Sequence, residues 1–172
     1  MASIIPTSKF GIKHVCEKID FSNCKLIVEY GPATGVFSDF LLKHMPDDAN
    51  LILIERNPDF AKTLQESFDD KRVMVFNDSA ENISDIMHKY TDKSANYIIS
   101  GIPFSFFPSS LTDEIIAKSY EALLPEGKFL AYQTFFQKNA HLKDYLDKYF
   151  ENVTHAYEPL NIPPMRIYEA VK

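Results

Sequence analysis

The stretch "VEYGPATG", residues 28–35, decides the fold of this chain, because it joins a strand-like run to a helix-like run. The apolar residues 26–28 lead into it, and the helically spaced residues 36–42 follow it. Its two glycines, Gly31 and Gly35, can adopt backbone conformations that are closed to other residues, and they have no Cβ to obstruct a neighbour. The stretch therefore predicts a bend between a strand and a helix where a ligand comes close to the backbone.

Length and hydropathy limit the class of protein. The chain has 172 residues, of which 45% are hydrophobic, and its composition does not shift along its length. We therefore expect one domain, residues 1–172, with a sizeable core. The apolar runs are far shorter than the about 20 residues that a bilayer span requires, and the N-terminus lacks the layout of a secretion signal. These features predict a cytoplasmic protein and leave its oligomeric state open.

Charge and cysteine content argue against two kinds of site. The formal net charge of −6 and the pI near 5.3 disfavour a large nucleic-acid surface, which needs clustered Lys and Arg. Cys16 and Cys24 have no cluster of Cys and His nearby, so they predict neither a disulfide framework nor a metal site. We expect buried or idle thiols, no bound metal and no nucleic-acid partner.

Runs typical of strands alternate with helically spaced stretches along the chain. The strand-like runs are residues 26–30, 51–55, 73–77, 95–100, 128–134, 152–157 and 166–171. The helix-like stretches are residues 8–18, 36–44, 59–68, 81–90, 111–124 and 138–149. This alternation predicts an α/β fold with a seven-stranded, mainly parallel sheet and helices on both faces, because a helix most easily makes a parallel crossover. Only a short loop separates the last two strands, so they are expected to form an antiparallel C-terminal edge pair.

Acidic side chains stand at the C-terminal ends of three predicted strands, where ligands bind in such sheets. Glu29 precedes the glycine bend, Glu55 ends the second strand, and Asp78 follows the third. Glu29 would repel a phosphate and suit a cation, whereas Glu55 is placed to accept ribose hydroxyls and Asp78 an adenine amino group. Alternatively, Asp78 or Ser79 caps the next helix, and Glu55 is a solvated strand end. Together the acids favour S-adenosylmethionine, which has a cationic end and a ribose.

At these positions the sequence resembles the class I S-adenosylmethionine-dependent methyltransferases, which have a Rossmann-like fold, and the resemblance covers nearly the whole chain. "VEYGPATG" is similar to the family's first motif, "LILIER" to its second and "FNDSAEN" to its third. Ala33 stands where the family usually has a glycine. The resemblance implies S-adenosylmethionine as the cofactor, and it implies these cofactor-binding residues: Glu29, Tyr30, Gly31, Pro32, Ala33, Thr34, Gly35, Glu55, Arg56, Asp78, Ser79 and Ala80.

The stretch "ISGIPFSFFP", residues 99–108, indicates which methyltransferases are most similar. The rRNA and DNA adenine methyltransferases carry Asn or Asp at the position of Gly101, so this chain lacks the side chain that holds a base. Ser-Gly-Ile-Pro instead resembles the bacterial phospholipid N-methyltransferases, which act on phosphatidylethanolamine, as do "IIPTSKF", "AYQTFF" and "NIPPMRIY". The resemblance implies catalytic roles for Ser100, Gly101, Ile102, Pro103 and Phe104, and substrate contacts for Phe107, Tyr132, Gln133 and Asn161.

Methyl transfer requires a neutral amine aimed at the methyl group, so positioning and electrostatics carry most of the reaction. Backbone carbonyls of residues 100–102 are candidates to hold the amine hydrogens, with Pro103 fixing the turn. The ring of Phe104 would attract a cationic product, although core packing is an equally good interpretation. The candidates for the proton acceptor are Tyr132, His141 and a water held by Glu29.

We therefore predict a methyltransferase for the amine of a phospholipid headgroup such as phosphatidylethanolamine, with peripheral contact to the inner membrane face as one option. Residues 1–20 predict an N-terminal helix that covers the cofactor or acceptor site. Its lysines would alternatively suit an anionic lipid surface. Two other functions stay open: an RNA adenine N6-methyltransferase, and a non-catalytic binding module that has kept the fold and lost the cofactor.

Overall fold

A computed structural model describes residues 8–134 and 140–172. These residues contain seven strands: β1 (Leu26–Tyr30), β2 (Asn50–Ile54), β3 (Val73–Phe76), β4 (Ala95–Ser100), β5 (Leu123–Thr134), β6 (Asn152–Glu158) and β7 (Met165–Val171). The same residues contain six α-helices: α1 (Lys9–Cys16), α2 (Val36–His44), α3 (Pro58–Ser67), α4 (Ile83–Tyr90), α5 (Ser109–Ala122) and α6 (Ala140–Tyr149). Short 3₁₀ helices occur at Phe21–Asn23, Ala80–Asn82 and Phe104–Phe106.

The strands form one sheet in the order β3-β2-β1-β4-β5-β7-β6. Strands β1 to β5 are parallel to one another, whereas β7 pairs antiparallel with both β5 and β6. The predicted fold class, a mainly parallel sheet with an antiparallel C-terminal pair, is therefore confirmed.

Helices cover both faces of the sheet. Helices α1 to α3 pack on one face, through residues such as Val15, Leu41 and Leu64. Helices α4 to α6 pack on the other face, through residues such as Ile83, Ile116 and Leu146. The central strand β1 is buried along its whole length, which explains its continuous apolar run, because parallel strands covered on both sides lose the alternation of apolar and polar residues.

The observed elements begin and end within two residues of the predicted ones, except at the start of β5. The predicted strand begins at residue 128, because Pro125, Glu126 and Gly127 are typical of a turn, whereas β5 already begins at Leu123. Glu126 takes a φ of 63°, and a Cβ on Gly127 would lie 2.8 Å from the carbonyl oxygen of Leu124. The turn-forming residues therefore make a bulge inside the strand, where the register against β4 shifts. Residues 138–139 of the predicted last helix lie outside the described residues.

Helix α1 lies against the sheet rather than standing apart from it. It buries Ile12 and Val15 and leaves Lys9 and Lys13 exposed, as an amphipathic helix of a globular protein does. Residues 1–7 of the predicted N-terminal segment lie outside the described structure. In the described part of the chain, every helix is too short or too polar to cross a bilayer.

Candidate active site

The order of the strands reverses between β1 and β4, because β2 and β3 lie to one side of this pair and β5 to the other. In open α/β sheets, ligands bind at such a point, outside the C-terminal ends of the strands. The bend of residues 31–35 follows β1, and the loop of residues 101–104 follows β4. The backbone N–H of Gly101 donates to the carbonyl of Tyr30 at 3.0 Å. Two of the motifs singled out in the sequence thus lie side by side.

Three residues of the bend adopt left-handed backbone conformations, with φ of 66° at Gly31, 49° at Ala33 and 77° at Gly35. A Cβ on Gly31 would lie only 2.8 Å from Cγ2 of Ile102. The loop after β4 therefore leaves room for glycine alone at position 31. Ala33 keeps the shape of the bend, although the left-handed conformation costs a residue with a Cβ roughly 1 kcal/mol relative to glycine.

Glu29 is completely buried on β1, just before the bend. Its Oε2 accepts a hydrogen bond of 2.6 Å from the hydroxyl of Ser38 in α2, whereas its Oε1 has no hydrogen-bond partner among the described residues. Burial raises the pKa of Glu29 to about 7; the hydrogen bond from Ser38 lowers it and the nearby charge of Glu55 raises it. A buried carboxylate with an unused oxygen is stabilised when a cation or donor approaches it.

Glu55 joins the end of β2 to the glycine bend. Its Oε2 accepts the backbone N–H of Ala33 at 3.0 Å, and its Oε1 accepts that of Asn57 at 2.8 Å. The side chain is nearly buried, while the neighbouring Arg56 is exposed. Glu55 is therefore fixed in place by two backbone donors at the rim of the bend, and the interpretation as a solvated strand end does not fit its burial.

Asp78 lies beside Glu55, since its backbone N–H donates to the carbonyl of Glu55 at 3.2 Å. Its Oδ1 accepts the backbone N–H of Ser79 and the side-chain amide of Asn82, each at 2.7 Å. The hydroxyl of Ser79 donates to the carboxylate of Glu81. Asp78 thus connects Ser79 to Asn82 at the two ends of the 3₁₀ helix Ala80–Asn82. The N-cap residue of this helix, Ser79, makes no capping hydrogen bond with its side chain, so the alternative role of Ser79 as a cap does not fit.

The loop after β4 is shaped by the ring of Tyr132. A Cβ on Gly101 would lie 2.5 Å from the hydroxyl oxygen of Tyr132 and 2.8 Å from its Cζ. This ring stacks on Phe37, with the two centroids 5.3 Å apart. A side chain such as the Asn of the adenine methyltransferases therefore has no room at position 101. The buried hydroxyl of Ser100 has no hydrogen-bond partner among the described residues.

A cavity of about 140 Å³ lies next to this loop. Its wall includes Phe104 and Phe107, whose rings meet edge to face with centroids 6.0 Å apart, and the buried amide of Gln133 at the end of β5. The other lining residues are Ser105, Ser109, Thr112, Leu142 and Tyr145. All the lining residues named here are uncharged, so this wall suits an apolar or neutral group.

In two of the predicted site residues, the polar group of the side chain forms its hydrogen bonds away from the switch point. The hydroxyl of Tyr30 is buried in the core, where it hydrogen-bonds to Ser119 at 2.9 Å, so its backbone alone contributes to the bend. The amide of Asn161 accepts the backbone N–H of Ser8 at 2.8 Å and donates to the carbonyl of Pro163 at 2.7 Å. Asn161 thus ties the start of α1 to the loop between β6 and β7.

The remaining predicted residues vary in exposure. Thr34 is exposed and Pro32 and Ala80 are buried. Some predictions fall outside the described structure, namely residues 4–7 of "IIPTSKF", residues 135–136 of "AYQTFF" and the side chain of His141.

Several residues that contact the site are not among the predicted ones, and Ser38, Thr112 and Tyr145 illustrate why. Ser38 lies in the first turns of α2, and its hydrogen bond to Glu29 could have been found from the helical spacing after Gly35. Thr112 and Tyr145 line the cavity, but they sit in amphipathic patterns that equally indicate core packing, so the sequence carries no signal for them.

No family model matches this chain. Among curated proteins, the ornithine lipid N-methyltransferase of Singulisphaera acidiphila is 27% identical to it over 176 residues. This similarity covers 98% of the present chain and 86% of the relative, so it includes the regions of both loops at the switch point.

Solved structures of methyltransferases are similar over the whole fold. Precorrin-6y C5,15-methyltransferase from Geobacter metallireducens has a TM-score of 0.78 and 16% identity, covering 100% of this chain and 94% of that one. The N-methyltransferase NodS from Bradyrhizobium japonicum has a TM-score of 0.70 and 12% identity, covering 95% and 96%. These structures confirm the class I methyltransferase fold. All these relatives are methyltransferases, in agreement with the predicted enzyme class and with S-adenosylmethionine as the cofactor expected for this fold.

The residues at the switch point fit S-adenosylmethionine. The unused carboxylate oxygen of Glu29 suits its cationic end, and the left-handed bend of residues 31–35 packs against the loop after β4, where a Cβ on Gly31 would meet Ile102. Glu55 and Asp78 would hold the ribose and the adenine. When bound, this cofactor supplies an electrophilic methyl group on a sulfonium.

Proposed function

We propose that this chain, which has the fold of the class I S-adenosylmethionine-dependent methyltransferases, transfers a methyl group to the amine of a lipid headgroup. The relative from Singulisphaera acidiphila, which is named for an ornithine lipid, supports a lipid acceptor. The resemblance of "SGIP" and "NIPP" to phospholipid N-methyltransferases supports phosphatidylethanolamine as a second candidate acceptor. Both headgroups offer a primary amine.

The observation that carries this proposal is the contact between Gly101 and Tyr132. Because the ring of Tyr132 fills the space beside Gly101, the loop cannot carry the side-chain amide or acid that holds the amine of a base. Backbone oxygens and the hydroxyl of Ser100 are left to position the acceptor, which suits a flexible primary amine better than a planar base. The charge of −6 further disfavours a polyanionic substrate.

The residues around the cavity would position the amine and exclude water from it. The carbonyl of Ile102 already accepts the N–H of Phe104 at 3.1 Å, and a carbonyl oxygen has a second lone pair for an amine hydrogen. Gln133 adds an amide at the cavity wall. The ring of Phe104 attracts a methylated ammonium by about 0.5–2 kcal/mol.

A membrane-facing surface belongs to this proposal. Four large apolar side chains are exposed around the site: Phe10 is 58% exposed, Phe106 72%, Leu160 62% and Ile162 81%. We call them the apolar rim. The loop that carries Leu160 and Ile162 leads into β7, whose first residue pairs with the last residue of β5, so it lies at the edge of the sheet that holds the site. A lipid amine would reach the cavity from a bilayer that contacts this rim.

Methyl transfer to lipid vesicles tests the proposed function. The protein is incubated with methyl-labelled S-adenosylmethionine and vesicles that contain either phosphatidylethanolamine or ornithine lipid, and the lipid is then extracted. Label in the extracted lipid is the expected result, with S-adenosylhomocysteine as the competing ligand in a control. Label confined to water-soluble species would reject a lipid acceptor. Label in added RNA would favour the adenine methyltransferase, and absence of cofactor binding would favour the non-catalytic module.

A further inference from the structure

Two buried polar side chains line the cavity beside the loop after β4. They are Gln133 of β5 and Thr112 of α5, and each is only 3% exposed. Gln133 follows Phe129 and Ala131 at intervals of two and four residues, so it projects from the same face of the sheet as they do. Thr112 lies on the buried stripe of α5, one turn before Ile116, and this helix covers that face. The cavity thus brings together polar groups from two elements that are distant in sequence.

The protein leaves both polar groups without a partner. The amide of Gln133 and the hydroxyl of Thr112 form no hydrogen bond with the described residues, and neither is sealed from the cavity. Ser119, on the same stripe of α5, shows the contrast. Its hydroxyl donates to the carbonyl of Ile115 at 2.6 Å and hydrogen-bonds to Tyr30 at 2.9 Å. Since buried polar groups in proteins are hydrogen-bonded, Gln133 and Thr112 indicate a bound group that supplies their partners.

The chemistry of the cavity limits what this group is. Gln133 and Thr112 each offer a donor and an acceptor. The lining residues that the structure describes are uncharged, so a phosphate or carboxylate would lose its water there without gaining an opposite charge. An ester offers acceptors only, whereas an amide offers a donor and an acceptor and therefore matches the pair. The volume of about 140 Å³ is below the roughly 300–1,000 Å³ of a complete ligand site, so the cavity holds one group of a larger acceptor.

We propose that Gln133 and Thr112 bind a neutral amide of the acceptor while the acceptor amine lies against residues 100–104. This inference rests on the proposed function and narrows its acceptor to lipids in which an amide and an amine are a few bonds apart. An ornithine headgroup that is acylated on its α-nitrogen has this arrangement. Phosphatidylethanolamine has a phosphate and esters instead.

The surroundings of the cavity fit such an acceptor. Phe104 belongs both to the loop after β4 and to the cavity wall, so an amine at the loop and an amide in the cavity would lie close together. Ser105 and Ser109 line the cavity and are exposed, so they mark its mouth. Phe106 of the apolar rim follows Ser105 directly, and the acyl chains would leave the cavity along it towards a bilayer.

Replacing one atom of the acceptor tests the amide site. The acceptors are ornithine lipid, its analogue in which an ester oxygen replaces the amide N–H, and phosphatidylethanolamine. The analogue keeps the shape, the carboxylate and the amine, and it loses only the donor. The ratio kcat/KM is measured for each lipid in mixed micelles with methyl-labelled S-adenosylmethionine. We expect the wild type to prefer the amide over the ester by about tenfold or more, because the ester leaves a buried acceptor unpaired.

The double variant Gln133→Met and Thr112→Val is expected to abolish this preference. It nearly keeps the shape of both side chains and removes their polar groups, so KM for the amide lipid should rise while the ester lipid is nearly unaffected. The two single variants identify which group accepts the amide N–H. The matched control is Gln65→Met in α3, which alters an exposed amide and should leave the preference unchanged. Thermal unfolding and S-adenosylhomocysteine binding verify that the variants are folded.

Equal kcat/KM of the wild type for amide and ester, or a preference that survives the double variant, would overturn the amide site and leave lipid methylation standing. Methylation of phosphatidylethanolamine without methylation of ornithine lipid would do the same. Absence of methylation of all three lipids by the wild type would instead reject the proposed function, and the amide site with it.

Discussion

Glu29 combines a cost in stability with a binding role. Its pKa is about 7 in the folded protein against 4.5 ordinarily, so the fold favours its protonated form. Protonated Glu29 therefore contributes about 3 kcal/mol to the free energy of unfolding. This contribution is complete below pH 4.5 and is lost as the pH rises through 7. Glu29→Gln, which stays neutral, should match the wild type at pH 4 and be more stable by up to about 3 kcal/mol at pH 8. Urea unfolding at both pH values measures this, and an equal difference at both would contradict it.

The same carboxylate predicts how cofactor binding depends on pH. A cation near Glu29 favours its ionised form, so S-adenosylmethionine should bind more tightly as the pH rises from 5 to 8 and should release a proton near pH 6.5. Calorimetry in buffers of different ionisation enthalpy detects that proton. Glu29→Gln should bind about tenfold more weakly or worse at pH 8, without proton release. Proton release that persists in Glu29→Gln would assign it to another group.

Gly101 and Tyr132 should be energetically coupled. A Cβ at position 101 would overlap the Tyr132 ring, so Gly101→Ala is expected to destabilise the protein by about 1–3 kcal/mol. In a Tyr132→Ala background the same change should cost much less. Unfolding of the wild type, both single variants and the double variant gives the coupling energy. Additive effects would show that the Tyr132 ring moves aside when position 101 has a side chain. An amide at position 101 would then not be excluded by this ring.

Single residues also show what the sequence could predict about the site. The proximity of Glu29, Glu55 and Asp78 is predictable because strand ends at one edge of a parallel sheet must lie together, and their roles in cofactor binding stay predictions. The roles of Tyr30 and Asn161 were not identified, because a motif fixes the path of the backbone but not whether a side chain points into the core or towards a neighbouring loop. The Tyr132 ring over Gly101 is a contact between distant segments, and no local pattern indicates it.

At the scale of elements, the loop between β6 and β7 is held firmly while it exposes two apolar side chains. Glu158 accepts the backbone N–H of Leu160 at 2.8 Å and contacts His14 of α1 at 3.1 Å. The next residue of the loop, Asn161, is buried, and its burial fixes the loop at that point. This loop thus presents Leu160 and Ile162 outward on a rigid support, beside the exposed lysines of α1, as a surface that contacts an anionic bilayer would.

The double variant Leu160→Ser and Ile162→Ser should bind anionic vesicles at least about tenfold more weakly, because each large apolar side chain contributes about 1.5–3 kcal/mol when it leaves water. Cosedimentation with vesicles measures the binding. The matched control, Tyr90→Ser with Leu124→Ser, removes two exposed apolar side chains that do not belong to the apolar rim. Equal vesicle binding by both double variants would exclude the apolar rim as the membrane contact. If the wild type self-associates as its concentration rises and the Leu160→Ser, Ile162→Ser variant does not, the apolar rim is instead a contact with a second copy of the chain.

The positions of the elements were predictable because apolar periodicity and turn residues act locally. The start of β5 was not, since Pro, Glu and Gly suit both a turn and a bulge, and pairing with β4 decides between them.

At the scale of the whole molecule, alternating strands and helices sufficed to predict the mainly parallel sheet and its antiparallel edge, and the switch point follows from that order. The acceptor is not encoded in the same way. It depends on the shape and charge of a cavity whose walls come from the loop after β4, helices α5 and α6 and strand β5. Such a wall forms only when the complete fold brings distant segments together, so the sequence indicated a lipid amine through family resemblance rather than through geometry.

Strand-end carboxylates beside the glycine bend are expected to bind S-adenosylmethionine, and calorimetric titration of the wild type, Glu55→Ala and the exposed control Glu151→Ala measures this binding. We predict micromolar binding by the wild type and by Glu151→Ala. We predict binding by Glu55→Ala that is weaker by about tenfold or more, because two hydrogen bonds to a charged group are lost. No heat with the wild type, or equal affinity of all three proteins, would contradict the account.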